Sequence, residues 1–355
     1  MRDSFFDRAA MGANQPARGS MKTKVFITID TEFSVGGAFA DPISNKPAGA
    51  QAVLCEIGGK THGLGFLLDT FATFGAKATF FVEAFNTYHF GDQPMRELAL
   101  RIKAAGHDVQ LHLHPCWTYF KNPDWMDRLK SDPPTDHMNG RSLEQLKEWL
   151  GDGIAIFERW GLGRPVALRT GSLMVDRTVY QAMELAGIRV GSNVGLAVYR
   201  PADPALHFYS GIHQVGSVIE ACITTYIDLA LGNRSHYRTL TITGSSWNEM
   251  RTLLLRAHAS KVESIAILTH PFEYVKYKRL DFSGLLPNRI NQQRLRRLCE
   301  FLRDHADCFE VATMGELAAA SRTASNADNV ILKVPMLRAV ERMVENSLND
   351  RISAL

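Results

Sequence analysis

Residues 24–32 read KVFITIDTE and predict the first strand of the fold. The residues before Asp30 are apolar or β-branched and contain no turn signal, as expected for a buried strand over residues 24–30. Asp30 and Glu32 are two positions apart, and residues with that spacing face the same side of a strand. We therefore expect both carboxylates to point to one place at the strand's carboxyl end.

Strand and helix patterns alternate along most of the chain. Further strands are predicted at residues 77–82, 108–114, 166–169, 188–191, 215–219, 238–243, 264–269 and 309–312. Helices are predicted at residues 65–74, 95–105, 142–160, 176–186, 248–259 and 291–305, with another from residue 314. This alternation is typical of parallel strands covered by helices. The sequence predicts the α/β class, with one barrel-like domain over residues 23–320.

The two ends of the chain differ from this pattern. Residues 1–22 hold no continuous apolar stretch of about 7–15 residues, so they do not resemble a secretory signal. We predict a disordered leader there. From residue 321 the composition is polar, and residues 321–355 are predicted to be a linker followed by an amphipathic tail helix. Such a helix would serve packing or homo-oligomer formation.

The composition excludes several classes of protein. At 355 residues, 45% hydrophobic and 22% charged, the chain is unlike a disordered protein. Its net charge of +3, without a basic stripe, argues against a nucleic-acid partner. No run approaches the roughly 20 apolar residues that a membrane-spanning helix needs. The five scattered cysteines favour reduced thiols and a cytoplasmic location.

Three further strands end in residues that bind metals or transfer protons. His112 and His114 close the strand DVQLHLH, and the alternation places both imidazoles on one face as a clamp for a divalent cation. Arg169 ends the strand at residues 166–169, where it can hold a carboxylate. His270 follows the strand at residues 264–269 and can act as a general acid or base near neutral pH.

Because sites in parallel α/β barrels lie at the carboxyl ends of strands, we expect these groups to meet. Together they are typical of a mononuclear hydrolytic metal site, in which three protein ligands leave coordination open for water. One carboxylate would accept the proton of the water. A histidine on the opposite side would protonate the leaving amine.

The sequence resembles the polysaccharide deacetylase (NodB-homology) family of carbohydrate esterases. Five segments carry the resemblance in family order: ITIDTE, KATFFVEA, GHDVQLHLHP, ALRTGS and AILTHP. The resemblance implies a distorted (β/α) barrel of about seven strands that binds Zn²⁺ or a similar divalent ion. It also implies that Asp30 is the catalytic base, His112 a metal ligand, Arg169 the residue that orients the base and His270 the acid.

The chain departs from the family pattern at the metal ligands. The first motif commonly has two adjacent acids, but Thr31 occupies the second position, so we assign Glu32 as the substitute ligand. Asp30 as the ligand, with Glu32 in another role, is the alternative. The second motif commonly places its histidines four apart, where this chain has Cys116. His114 is our third ligand by the strand argument, with Cys116 as a soft-ligand alternative.

Candidate substrate contacts surround these motifs. The polar, aromatic segment at residues 115–140 follows the metal histidines and has the length of a lid, and its Trp117 could stack on a sugar face. Glu220 ends a predicted strand, and Glu273 follows the His270 motif. Both are predicted to contact substrate.

The resemblance favours a metal-dependent hydrolase that removes an acetyl group from an N-acetylated sugar or glycan precursor in the cytoplasm. Another metal-dependent C–N hydrolase, such as a deformylase or a cyclic-ureide hydrolase, is the second interpretation. A degenerate barrel that binds carbohydrate without turnover is the third.

Overall fold

The computed structural model describes residues 22–232, 234–320 and 329–352. Its strands are β1 (Thr23–Thr31), β2 (Glu56–Ile57), β3 (Lys60–Thr61), β4 (Thr79–Glu83), β5 (Asp108–Leu113), β6 (Ala167–Thr170), β7 (Val190–Gly191), β8 (Ile212–Val215), β9 (Val218–Ala221), β10 (Thr225–Leu231), β11 (Arg234–Thr239), β12 (Ser264–Thr269), β13 (Val275–Lys276), β14 (Leu286–Pro287), β15 (Phe309–Ala312) and β16 (Leu332–Lys333).

The α-helices are α1 (Ala50–Leu54), α2 (Leu64–Phe74), α3 (Thr87–Phe90), α4 (Gln93–Ala104), α5 (Trp125–Arg128), α6 (Leu143–Arg159), α7 (Arg177–Ala186), α8 (Trp247–Ala259), α9 (Arg289–Asp304), α10 (Met314–Ala319) and α11 (Met336–Ile352). Short 3₁₀ helices lie at Pro115–Lys121, Gly171–Leu173, Pro204–Leu206 and Pro271–Tyr274.

The main sheet has the order β12–β1–β4–β5–β6–β7–β9–β8, and β15 pairs with the first half of β1. All of its ladders are parallel except the β8–β9 hairpin. The sheet curls until its two ends meet through hydrogen bonds from Thr224 N to Ala266 O and from Gly211 N to Ser264 O, both 3.1 Å long. The predicted α/β class and distorted barrel are therefore confirmed, with eight strands along the main path of the sheet.

The two faces of each strand contribute to different apolar clusters. Val25 and Ile27 pack with the helices in the larger cluster. Phe26 on β1 and Phe81 on β4 point to the other side of the sheet, where both belong to a second, inner cluster. Asp30 is four positions after Phe26 and therefore faces the same side of β1. Its carboxylate thus lies on the inner face of the barrel, beyond the apolar side chains of the inner cluster.

Most predicted elements are present within a few residues, but two strand predictions are wrong. The predicted strand at residues 215–219 contains the turn of the β8–β9 hairpin, because Gly216 adopts a φ of +60° and Val215 pairs with Val218. Glycine at a positive φ is the usual turn residue of such hairpins. The predicted strand at residues 238–243 ends at Thr239, apart from an isolated bridge between Thr241 and Leu268.

The tail contains more than the predicted helix. β16 pairs with β10 in parallel, and α11 begins only after Pro335, a residue favoured at helix starts. The predicted leader lies outside the described residues except for Lys22, as do residues 321–328 of the linker and the last three residues. The domain boundary at residue 320 stays a prediction. No helix in the described ranges is long and apolar enough to cross a membrane.

Candidate active site

The carboxyl ends of β1, β5, β6 and β12 lie together at one end of the barrel. β5 pairs with β4 and β6, which places His112 opposite both Glu83 and Arg169. Asp30 and His270 lie one residue beyond the last pair of the β1–β12 ladder. The strand register therefore brings the predicted chemical groups to one level of the barrel.

Glu32, His112 and His114 form a cluster of potential metal ligands. Glu32 Oε2 lies 3.2 Å from His112 Nε2 and 2.8 Å from His114 Nε2. The two imidazoles meet edge to face, with ring centroids 4.7 Å apart. The ligand atoms of all three residues lie within 4.8 Å of one another, so one cation can contact all three.

The second nitrogen of each imidazole is held by an acceptor. His112 Nδ1 donates to the Arg169 carbonyl oxygen over 2.9 Å, and His114 Nδ1 lies 2.7 Å from Asp136 Oδ2. These bonds leave both Nε2 atoms for a cation, as is usual for metal-ligating histidines. Two imidazole nitrogens and one carboxylate oxygen fit Zn²⁺ and keep coordination open.

The electrostatics of the cluster favour an ionised carboxylate. Burial alone would raise the pKa of Glu32, but the charge of His114 and hydrogen bonds from both histidines hold that pKa well below its usual range. Burial alone would lower the pKa of His114, whereas Glu32 and Asp136 raise it well above its usual range. The carboxylates of Glu32 and Asp136 thus favour positive charge at His114, and a bound cation would replace the proton on His114 Nε2.

Two carboxylates that support the cluster were missed in the sequence. Glu83 is fully buried and accepts the backbone N–H groups of His114 and Phe85, and burial raises the pKa of Glu83 well above its usual range. Its place at the end of KATFFVE was a signal comparable to that of Asp30. Asp136 comes from the loop at residues 115–140, and nothing in its local sequence predicts a bond to His114.

Cys116 lies in a second, overlapping cluster with His114 and Asp136. Asp136 Oδ1 accepts the backbone N–H of Cys116 at 3.3 Å. Burial and the neighbouring carboxylates raise the pKa of the Cys116 thiol far above its usual range, which disfavours the thiolate that metals bind. Glu32, His112 and His114 stay our predicted ligand set, with Cys116 as the alternative third ligand.

Asp30 is bound by a buried arginine. Arg169 Nη1 lies 2.8 Å and 3.1 Å from the two oxygens of Asp30, and Nη2 donates to Thr28 and Ser192. The guanidinium also lies over the ring of Phe81, 4.6 Å from its centroid. Arg169 is fully buried, so it fixes the position of the Asp30 carboxylate rather than meeting solvent.

His270 faces Asp30 from the neighbouring strand. His270 Nε2 lies 4.0 Å from Asp30 Oδ2, while Nδ1 lies 3.0 Å from Glu273 Oε1. Thr269 donates to the other oxygen of Glu273 at 2.7 Å. Burial alone would lower the pKa of His270, but the bond to Glu273 and the surrounding carboxylates raise it to about 9.

The three predicted substrate contacts, Trp117, Glu220 and Glu273, differ in their surroundings. Glu220 is fully buried and accepts N–H groups from Asn193 and Val194 and the hydroxyl of Tyr180, so its carboxylate supports the neighbouring backbone, and its contact with substrate stays a prediction. Trp117 is only 1% exposed, and its contact with a sugar stays a prediction. Glu273 holds the imidazole of His270, so its carboxylate positions that residue.

A cavity of about 200 Å³ opens beside the ligand cluster. Glu32, His114 and Asp136 form its polar side. The rest of its wall is mainly apolar: Phe33, Val35, Cys116, Trp117, Phe272, Tyr277 and Phe282, together with Ser34. An acyl group bound here would lie between the metal ligands and aromatic side chains.

No protein-family model matches the chain, and no curated protein matches its sequence. Similar solved structures include a candidate polysaccharide deacetylase from Mycobacterium smegmatis, with a TM-score of 0.50 and 18% identity over 89% of this chain and 98% of that one. A family 4 carbohydrate esterase from Streptomyces lividans in complex with acetate has a TM-score of 0.42 and 12% identity, covering 85% and 98% of the two chains. A family 4 acetyl xylan esterase from Clostridium thermocellum in complex with a cobalt ion has a TM-score of 0.40 and 15% identity, covering 87% and 100%. The chain is thus similar in fold to the Mycobacterium smegmatis structure, which confirms at the level of the fold the polysaccharide-deacetylase resemblance of its motifs.

Proposed function

We propose that this protein is a metal-dependent hydrolase that removes the acetyl group from the amide nitrogen of an N-acetylated sugar. One observation carries the proposal: a three-residue ligand cluster lies beside an arginine-bound aspartate and a carboxylate-bound histidine. A ligand cluster, a base and an acid are the groups that metal-assisted amide hydrolysis requires.

In this proposal Glu32, His112 and His114 hold the divalent ion, and Zn²⁺ suits their donor atoms. A bound ion would polarise the acyl oxygen and lower the pKa of water at the site. Asp136 and Glu83 keep His114 in place through its side chain and backbone. Asp30 is assigned the role of base rather than ligand, because Arg169 already binds its carboxylate.

The side chains of the site supply the proton transfers. Asp30 accepts the proton of the attacking water, and Arg169 keeps its carboxylate aimed at the site. His270 is protonated near neutral pH and gives its proton to the leaving nitrogen. Glu273 binds His270 Nδ1 and keeps the imidazole in place during this transfer. The distance of 4.0 Å between His270 Nε2 and Asp30 Oδ2 allows one reacting centre to reach both groups.

We infer that the substrate is an N-acetylated carbohydrate in the cytoplasm. The similarity in fold to a candidate polysaccharide deacetylase supports the sugar. The five cysteines are all free and buried, as expected in a reducing compartment.

Hydrolysis of a small amide, such as a formamide or a cyclic ureide, is a second candidate function. The reactive cavity of about 200 Å³ is smaller than most ligand pockets and favours a compact reacting group. Acetate release from N-acetylglucosamine oligomers, compared with turnover of small cyclic amides, separates the two functions.

Metal content, measured by mass spectrometry on purified protein, tests the proposal. We expect about one metal ion per wild-type chain, lost in both His112→Ala and His114→Ala. His236→Ala is the control, because its side chain is 59% exposed and pairs with Asp228. Chelation should abolish acetate release, and added Zn²⁺ should restore it.

Two outcomes would contradict parts of the proposal. If His114→Ala retains its metal, the third ligand is Cys116 or another group, and not His114. Metal bound without turnover of any amide would favour a barrel that only binds carbohydrate.

A further inference from the structure

Glu220 is a buried carboxylate to which the proposed reaction assigns no step. It lies on β9 and is 0% exposed. Its Oε1 accepts the backbone N–H groups of Asn193 at 2.7 Å and Val194 at 2.9 Å. Its Oε2 accepts the hydroxyl of Tyr180 at 3.0 Å and faces Asn193 Nδ2 at 3.5 Å. Because a buried carboxylate is costly unless its oxygens are hydrogen-bonded, Glu220 and the backbone at residues 192–194 hold each other in place.

Gly191 makes this close approach possible. A Cβ atom at position 191 would lie 2.3 Å from Glu220 Oε2 and 2.7 Å from Asn193 Nδ2, closer than real Cβ contacts allow. Any side chain at this position would therefore displace the carboxylate or the segment that it holds.

The segment at residues 192–194 contacts the arginine that binds Asp30. Arg169 Nη2 donates to Ser192 Oγ at 2.9 Å. Ser192 Oγ donates its own hydrogen to the Ala221 backbone oxygen at 2.8 Å, which leaves the hydroxyl oxygen to accept from Arg169. A shift of this segment would move the acceptor, and with it the guanidinium that holds the Asp30 carboxylate.

The same segment also fixes the backbone of Arg169. Asn193 Oδ1 accepts the backbone N–H of Thr170 at 2.9 Å. The carbonyl of that same peptide group belongs to Arg169 and accepts His112 Nδ1 at 2.9 Å. Since a peptide group is planar and rigid, Asn193 on one side and His112 on the other determine its orientation. Glu220 therefore supports both the side chain and the backbone of Arg169.

The charge of Glu220 acts on the same guanidinium. Burial lowers the pKa of Arg169, and the charges of Asp30 and Glu220 oppose that lowering. Burial likewise raises the pKa of Glu220, and the charge of Arg169 is among the effects that oppose the rise. Glu220 thus stabilises the buried guanidinium in addition to Asp30.

We propose that Glu220 is a positioning residue for the catalytic base and acts through Arg169. It holds residues 192–194, whose Ser192 and Asn193 fix the side chain and the backbone of the arginine. This inference rests on the proposed function, in which Arg169 keeps the Asp30 carboxylate aimed at the site. In this role Glu220 affects the rate of the reaction and not the binding of the sugar.

Glu220→Gln, followed by acetate release from N-acetylglucosamine oligomers, tests the effect on the reaction. Glutamine keeps the shape of the side chain and an oxygen for the two backbone N–H groups, but it removes the charge and places an amide donor opposite Tyr180. We expect kcat to fall about 10–100-fold with KM unchanged, because a small displacement of a catalytic group has an effect of that size.

Glu249→Gln is the matched control. Glu249 is also 0% exposed and accepts a backbone N–H, from Ser246, and a side chain, from Arg342. Its replacement should lower the melting temperature, as that of Glu220 does, and should leave kcat at the wild-type value.

Gly191→Ala is a second variant that keeps the Glu220 carboxylate but displaces it. We expect kcat to fall and KM to stay unchanged, as in Glu220→Gln. Gly151→Ala is the control, because a Cβ atom there meets nothing within 4 Å.

A measurement on Arg169 itself does not depend on turnover. Its Nη1 and Nη2 groups donate to Asp30, Thr28 and Ser192, so the guanidinium should rotate slowly and give separate Nη–H signals in proton–nitrogen NMR spectra. Arg169→Lys identifies these signals by their loss. We expect them to broaden or merge in Glu220→Gln and to be unchanged in Glu249→Gln.

Three results would overturn the inference: a kcat in Glu220→Gln equal to that of Glu249→Gln, a loss that appears in KM instead of kcat, or unchanged Arg169 signals in Glu220→Gln. The second would favour the contact between Glu220 and substrate that the sequence predicts. Each of them leaves the proposed function standing. If the wild type releases no acetate but the Arg169 signals respond to Glu220→Gln, the proposed function fails and the positioning of Arg169 by Glu220 remains.

Discussion

Gly171 lies directly against the imidazole of His114. A Cβ atom at this position would come within 2.6 Å of His114 Nδ1, closer than real Cβ contacts allow. Gly171 follows Arg169 in the segment ALRTGS, so the missing side chain leaves room for a metal ligand from β5. The glycine is needed for a close approach, since its backbone does not adopt a positive φ.

We expect Gly171→Ala to displace the His114 ring and weaken metal binding about 10–100-fold, the usual effect of disturbing a ligand's support. Titration with a chromophoric chelator measures this affinity. Gly151→Ala, on the exposed side of α6 where a Cβ meets nothing within 4 Å, is the matched control. Equal metal affinity in the two variants would show that His114 is not a ligand or is free to move.

His270 sets an upper pH limit for the proposed reaction. Its pKa of about 9 exceeds the ordinary histidine value of about 6.5. The imidazolium is therefore the form present at neutral pH, and kcat/KM should fall as pH rises through about 9. The same sign holds for stability: the contribution of the His270–Glu273 pair is complete below about pH 6.5 and is lost as pH rises through about 9.

Glu273→Gln tests this assignment. It removes the charge that raises the pKa of His270, so the alkaline limb of the kcat/KM profile should move to lower pH. Glu56→Gln, at an exposed position in β2, should leave the limb in place. An alkaline limb that does not move in Glu273→Gln would assign the acid role to another group.

The C-terminal helix α11 binds the barrel through its polar face. Arg342 donates to Asp228 Oδ2 on β10 at 2.5 Å and to Glu249 Oε1 on α8 at 3.0 Å. All three side chains are at most 5% exposed. Glu345 and Asn346 of the same helix bind Arg294 on α9. Ion pairs and hydrogen bonds, rather than apolar packing alone, therefore hold this helix.

Replacing Arg342 by leucine should lower the free energy of unfolding by about 3–5 kcal/mol, because two buried carboxylates each lose a buried charged partner. Urea denaturation followed by circular dichroism measures the loss. Arg338→Ala removes a pair with Glu341 in which both side chains are about one-third exposed, and should cost less than about 1 kcal/mol. Similar losses in both variants would mean that α11 contributes little to the stability of the barrel.

The opposite face of α11, which points away from the barrel, is apolar and exposed. Met336, Leu337, Val340, Met343, Val344 and Leu348 are each between 47% and 65% exposed. Their spacing of three and four residues forms one stripe. The stripe contains no charged side chain, so two copies can bring it together across a two-fold axis without opposing like charges. The homo-oligomer predicted from the sequence stays a prediction, and this stripe is the surface on which it can be tested.

We expect the chain to form dimers whose fraction rises with concentration, measured by sedimentation equilibrium. Val344→Glu should shift the population to monomers, and its melting temperature should equal that of the wild type at a concentration where both are monomeric, because the position is already exposed. Lys147→Glu introduces the same charge on α6 and should leave the dimer intact. A wild type that stays monomeric at all concentrations would contradict the role of this stripe.

The strand pattern and the residues at the strand ends follow from the amino-acid sequence alone. Side-chain alternation is a local property, and parallel strands bring their carboxyl ends together. For this reason Asp30, Glu32, His112 and Arg169 could be predicted to meet before the register was known.

The residues that support these groups, in contrast, depend on tertiary contacts. Asp136 reaches His114 from 22 positions away, and Glu220 accepts the backbone N–H of Asn193 in a neighbouring segment. Such contacts depend on the path of loops, which carry no periodic pattern. The sequence likewise does not predict which face of α11 contacts the barrel. An amphipathic pattern indicates that one face is covered, but not whether the barrel or another molecule covers it.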